Sequence, residues 1–399
     1  MLRSTVTFFG RGYGHGVGMS QYGARGRAVA GQDAATILAH YYQGARLGTV
    51  PTTTRIRVRV LYRFHATART PLLIYGRRGP WTIDAVAATF PADAGLRVIP
   101  STSGSLTTWR IRVTAADGSV LYSGAKPSSL VVRGATGSTR LQLDSKPGSY
   151  DEYRGLIRVK ASTAAPLATV VNDLPLETYL RGVVPVEMSS AWPAAALEAQ
   201  TIASRSYAAR RVRPGVSYYD VVDTSASQVY HGAKGERATT NAIIRATAGV
   251  VLRSGSSIAN TLYHSAGGGG TENNENVYTS ATGAKVAGVV TYLRGSLDRA
   301  PDGGSYDAAS PYATWATRTY TVAQLSAWFA ADSRTNAGTL IALDLRDRGV
   351  SGRLISVRLI GSRGTRTVSG EVFRSVFNAR RPASDPLLRS TLFGTAPIP

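Results

Sequence analysis

Residues 8–18 read Phe-Phe-Gly-Arg-Gly-Tyr-Gly-His-Gly-Val-Gly, with glycine at every even position from Gly10 to Gly18. No helix tolerates such a run, because each glycine costs about 1 kcal/mol relative to alanine in a helix interior. The same glycines allow another backbone or a ligand to approach unusually closely. In an extended conformation Arg11, Tyr13, His15 and Val17 would all project from one face. Two short helices are predicted after it, near Gln21–Ala30 and Ala34–Tyr42, each closed by a glycine stop at Gly31 and Gly44.

From Arg55 to about Val171 the pattern changes to strands. Ile56, Val58 and Val60 alternate with Arg57 and Arg59, and short apolar runs recur at Trp109–Val113, Leu130–Arg133, Leu156–Lys160 and Leu167–Val171. Turn signals at Asp117-Gly118 and Lys146-Pro147-Gly148 separate them. Helix returns at Asp173, which is placed to cap a short helix, and Pro193 opens a long alanine-rich helix running to about Arg211. Glu187 falls at or just past the break between these two helices. A further helix near Val322–Ala331 and a strand at Leu354–Ile360 follow. The expected class is α+β: a β-rich region over 55–171 packed with the helices after it, then mixed strands, loops and a few helices. Divided linearly, this gives a signature segment over 1–48 packing on the main domain, a β-rich subdomain over 49–171, and a helical and mixed α/β part over 172–399.

Composition narrows the function classes. The formal charge of +22 favours anionic partners without choosing among them. The basic residues are nearly all arginine and are scattered, with no basic run interleaved with aromatics, so nucleic acid is not expected as a partner. The chain has no cysteine, which excludes disulfides, thiolate chemistry and cysteine-ligated zinc. No stretch approaches the ~18 consecutive apolar residues of a transmembrane helix. Met1-Leu2-Arg3-Ser4 does not open a signal peptide, so export would require a targeting segment outside this chain. The serine-hydrolase elbow, the zinc-protease helix motif, the P-loop and the EF-hand loop are all missing, and the alternating glycines do not fit a dinucleotide fingerprint.

What remains is a distinctive block. It runs Asn172-Asp173-Leu174-Pro175-Leu176-Glu177-Thr178-Tyr179-Leu180, then Val183-Val184-Pro185-Val186-Glu187-Met188, then Trp192-Pro193 and Ala199-Gln200-Thr201-Ile202-Ala203-Ser204-Arg205-Ser206-Tyr207-Ala208. It continues through Gln228-Val229-Tyr230, Tyr263-His264-Ser265, Gly268 to Glu272, and Pro311-Tyr312 with Trp315. This block resembles the stage II sporulation protein D family (the SpoIID/LytB domain), and Gly14-His15-Gly16-Val17-Gly18-Met19-Ser20-Gln21-Tyr22-Gly23-Ala24 is similar to the family's second signature. In relatives that signature sits near the C-terminus, so the order here resembles a circular permutation. Residues 8–44 are then expected beside Arg374–Phe393.

The resemblance implies a lytic transglycosylase acting on peptide-free glycan strands of peptidoglycan, outside the cytoplasm at the cell wall or cell surface, with Glu187 as its single acid and base. Two other classes stay open: a non-catalytic enhancer of a cell-wall amidase, and a wall-binding module. A structural reading of Glu187, as a helix-capping carboxylate or one paired with Arg205, also stays open at this point. Arg205, Tyr207, Gln228, Tyr230, Tyr263, His264, His15 and Gln21 are the candidate substrate-binding residues, and Glu272 is a candidate second carboxylate. Some relatives hold zinc with cysteine and histidine near Gln228 and His264; here Ser227 and Ser265 stand in that neighbourhood, and neither a metal nor any other cofactor is expected.

Overall fold

A computed structural model describes residues 2–103, 106–126, 129–161 and 167–397. The chain is mixed α+β and rich in strand, as expected. Its residues group into two compact units, and neither is continuous in sequence. One comprises Gly48–Ala191 with Ser204–Val251; the other comprises Met1–Leu47, Trp192–Ala203 and Leu252–Pro399.

The unit containing Glu187 is built on two sheets. Seven strands lie in the spatial order Val221–Val222, Arg55–His65, Leu167–Pro175, Leu156–Ala161, Ser129–Gly134, Trp81–Ile83 and Thr89–Phe90. Alternation in Arg55–His65 does what a half-buried strand requires: Ile56, Val58 and Val60 are buried. On the opposite face Arg57 holds Asp220 with Nε–Oδ2 at 3.0 Å and Nη2–Oδ1 at 2.7 Å. Six strands form the second sheet, ordered Val120–Lys126, Leu106–Thr114, Gly95–Ser103, Leu72–Arg77, Arg140–Gln142 and Glu152–Tyr153.

One local expectation fails here. Asp173 caps no helix, because it lies inside the strand Leu167–Pro175. Its carboxylate is taken by Arg55 at 2.8 Å and Arg158 at 2.7 Å. The helix that follows, Leu176–Arg181, starts at Pro175 without any side-chain cap. Strand pairing with Arg55–His65 and Leu156–Ala161 outcompetes the local capping preference.

In the other unit the N-terminal segment is stitched to the end of the chain. Phe9 and Gly10 pair antiparallel with Gly394 and Phe393, the Arg11 N–H donates to the Leu392 carbonyl at 3.0 Å, and the Gly14 N–H donates to the Arg389 carbonyl at 3.1 Å. Phe8 is fully buried, with its ring 5.4–5.8 Å from those of Phe373, Phe377 and Phe393 in edge-to-face geometry. Leu325, Phe329, Val357, Leu359 and Leu388 complete this core. The helix Gly370–Arg380, not foreseen from sequence, supplies Phe373 and Phe377 and is capped by Ser369, whose hydroxyl accepts from the Val372 N–H. No helix among the described residues is long and apolar enough to cross a membrane.

Candidate functional site

Pro185 sits in the first turn of a four-residue helix, Val184–Glu187, which leaves Glu187 as its last residue. The side chain is half-buried. The Val229 N–H donates to Glu187 Oε1 at 3.2 Å, so the Gln228-Val229-Tyr230 segment reaches the carboxyl group through its backbone.

The side chains of that segment point into support rather than toward a ligand. Tyr230 is buried and its hydroxyl donates to Asn172 Oδ1 at 2.9 Å. Asn172 Nδ2 is in turn held by the Arg154 and Leu156 carbonyls, at 2.8 and 3.0 Å. Gln228 is buried, accepting at Oε1 from the Tyr179 hydroxyl at 3.2 Å and donating from Nε2 to the Ser204 carbonyl at 3.4 Å. Tyr179 and Tyr230 stand 5.0 Å apart with their rings tilted, and burial pushes both phenols well above their ordinary pKa, which keeps them neutral. Tyr207 is 8% exposed, and Arg211 lies over its ring at 3.3 Å.

Arg205 corrects the sequence reading. It is fully buried, and all five N–H donors are engaged: Nε and Nη2 fork onto Glu177 at 2.9 and 2.8 Å, while Nη1 and Nη2 reach Thr247 Oγ1 and the carbonyls of Val250 and Ile244. No donor remains for a sugar. The same fork leaves Arg205 unavailable as an ion-pair partner for Glu187, so the structural reading based on that pair falls.

Tyr263, His264, His15, Gln21 and Glu272 belong to the other unit. Between Gly10 and Met19 the glycine run forms no continuous strand. Gly12, Gly14, Gly16 and Gly18 all take positive φ, between +70° and +106°, so the alternate side chains do not share one extended face. Two positions show why no other residue would serve: a Cβ on Gly18 would lie 2.0 Å from the Leu262 carbonyl oxygen, and one on Gly16 would lie 2.3 Å from Arg353 Nε. This close course brings Met19-Ser20 into parallel pairing with Tyr263-His264.

His15 and His264 consequently face each other, with ring centroids 5.4 Å apart. His15 Nδ1 accepts from the Val17 N–H at 3.0 Å, and His264 Nδ1 donates to the Val17 carbonyl at 3.3 Å. Burial, reinforced by Arg353, lowers the His15 pKa to about 4. Burial followed by the neighbouring His15 and Arg353 puts His264 well below the ordinary imidazole value. Both rings are neutral near pH 7. Tyr263 is half-buried. Gln21, 8% exposed, opens the helix Gln21–Val29 and donates to Gln200 Oε1 at 3.4 Å; its neighbour Ser20 caps that helix by accepting from the Gly23 N–H.

Glu272 is also corrected. It is 1% exposed and accepts five hydrogen bonds, from Asn273 N, Asn276 Nδ2 and Val350 N on one oxygen and from Ser351 N and Oγ on the other, at 2.6–3.0 Å. It clamps the 349–351 loop and is not built as a general base. Sequence reasoning also missed Arg353, which is 1% exposed and bound to the Gly267 and Gly270 carbonyls at 2.7 and 3.0 Å. In a chain so rich in arginine nothing marks it out. No group of three or more acidic or histidine side chains among the described residues is arranged to hold a metal ion.

Comparison with known proteins places this geometry in context. Residues 166–253, which hold Asn172, Tyr179, Glu187, Arg205 and Gln228–Tyr230, match the family model described as SpoIID, stage II sporulation protein. The chain is 29% identical over 229 residues to the amidase enhancer of Bacillus subtilis (strain 168), covering 54% of this chain and 30% of that protein. It is 38% identical over 112 residues to an uncharacterized protein of Brachyspira hyodysenteriae, covering 27% of this chain and 30% of the relative. A 40-residue stretch is 55% identical to the stage II sporulation protein D of Bacillus amyloliquefaciens, or 10% of this chain and 12% of that one. The chain thus spans less than a third of the length of the relatives it matches. No solved structure matches it. The similarity to the SpoIID family is thus carried by residues 166–253 of this chain.

Proposed function

We propose that this protein is a peptidoglycan lytic transglycosylase that cuts peptide-free glycan strands at the cell wall, outside the cytoplasm, with Glu187 as its only catalytic carboxyl group. The observation that carries the reading is the position of Glu187: a half-buried carboxyl at the end of a short helix, within the family segment, oriented by the backbone N–H of Val229. Saturation of Glu272 by five donors supports a one-carboxylate mechanism over a hydrolytic pair.

In that mechanism the protonated Glu187 donates to the glycosidic oxygen as the bond to the muramic acid anomeric carbon breaks. The resulting carboxylate accepts the proton of the same sugar's 6-hydroxyl, whose oxygen closes on the anomeric carbon. One proton enters and one returns, and no water is consumed. Incubating the protein with peptide-free glycan and weighing the products tests this: 1,6-anhydro ends are expected, and reducing ends would overturn it in favour of hydrolysis.

A second reading, in which the protein raises the activity of a cell-wall amidase without cutting glycan, draws on the amidase-enhancer relative. Intact glycan together with faster peptide release by an added amidase would select it.

A further inference from the structure

The outer face of the six-stranded sheet carries a feature the glycan-cutting reading does not use. On the inner face Leu96, Val98, Trp109, Ile111 and Val113 are buried at 0–2% exposure. Period-two alternation then puts Arg97, Arg110 and Arg112 on the opposite face. Arg97 and Arg112 are direct cross-strand partners, and Arg110 is opposite Ile99. Like charges in that relation repel at a Cβ separation of ~4.5–5.5 Å.

Among the described residues no carboxylate forms an ion pair with any of the three, although most other arginines of this unit that lie on strands do find one. Arg97 gives one N–H to the Ala68 carbonyl. Across from Arg110 and Arg112 the neighbouring strand offers only Ala125 and Ser123, separated by Gly124. These small residues leave a groove of about 450 Å³ whose lining includes the three arginines, Ile99, Ser123 and Ala125.

We propose that this groove binds a linear phosphodiester polymer of the polyol phosphate type. Guanidinium forks match phosphate oxygens in pairs, and three of them without counter-charges form a local anion site. Arg110 and Arg112 are two residues apart on one strand, ~6.8 Å along it, so the polymer must carry an anionic group every few bonds. A single-stranded nucleic acid fits less well, because no aromatic side chain lines the groove to stack on its bases.

The test is a titration of the full chain with poly(glycerol phosphate) of defined length at several salt concentrations. The unaltered protein should bind. The Arg97→Gln/Arg110→Gln/Arg112→Gln variant should bind at least tenfold more weakly, with the slope of log affinity against log salt shallower by about 2, or ~0.7 for each lost contact. Glu187→Gln should bind as the unaltered protein does, which separates this surface from the glycan-cutting reading. Thermal melting of the triple variant should show an intact fold. Equal affinity and slope in the triple variant would overturn the proposal, as would failure of the unaltered protein to bind. Tighter binding of polyglutamate or single-stranded RNA, or binding to anionic vesicles without binding to the soluble polymer, would equally overturn it.

Discussion

Arg205 engages every donor it has, so its loss should be felt as instability before any effect on a sugar. Arg205→Met leaves the Glu177 carboxylate half-buried with its fork gone, and we expect a loss of about 3–5 kcal/mol in chemical denaturation. A folded variant of unchanged stability but raised KM would restore the sugar-binding role. From the sequence, Arg205 was open to reading as a sugar ligand or as a partner of Glu187; the actual partner, Glu177, is reached only once the helices Leu176–Arg181 and Ala194–Arg211 have formed. Glu272 was illegible for the same reason, since three of its five donors come from Val350 and Ser351, nearly eighty residues away. The place of Glu187 at the end of a short helix was legible because its motif is local.

Elements with local stop signals were the easiest to foresee. Gln21–Val29, Ala34–Tyr41, Ala194–Arg211 and Val322–Ala330 begin and end close to where caps, proline and glycine put them. The glycine run was legible as non-helical but its course was not, because sequence alone cannot reveal a backbone held at positive φ by a neighbouring segment. Gly16→Ala should cost ~1–2 kcal/mol or more, since its φ is +85° and its new methyl group would meet a guanidinium fixed by two carbonyls. A melting temperature unchanged in that variant would contradict the close approach. In the six-stranded sheet, Arg112→Thr removes one of two opposed positive charges and should raise stability by about 0.2–1 kcal/mol, whereas a destabilised variant would mean that Arg112 is already compensated.

For the molecule as a whole, its response to acid follows from histidines kept neutral by burial. His15 and His40 are lowered to about 4, His40 by burial and then by Arg27, and burial likewise puts His264 well below the ordinary value. The unfolded chain therefore binds more protons than the folded one between pH ~6.5 and ~4, and stability rises with pH across that window. Melting temperature should fall steadily from pH 6.5 toward 4, with little contribution from these groups above pH 7. A flat profile would show that the rings are solvated.

On peptide-free glycan strands, with product formation followed by mass spectrometry, Glu187→Gln should melt at the temperature of the unaltered protein and form anhydro-ended fragments at least a hundredfold more slowly, the scale of a lost general acid. Anhydro ends formed at an undiminished rate by the folded variant would contradict the account.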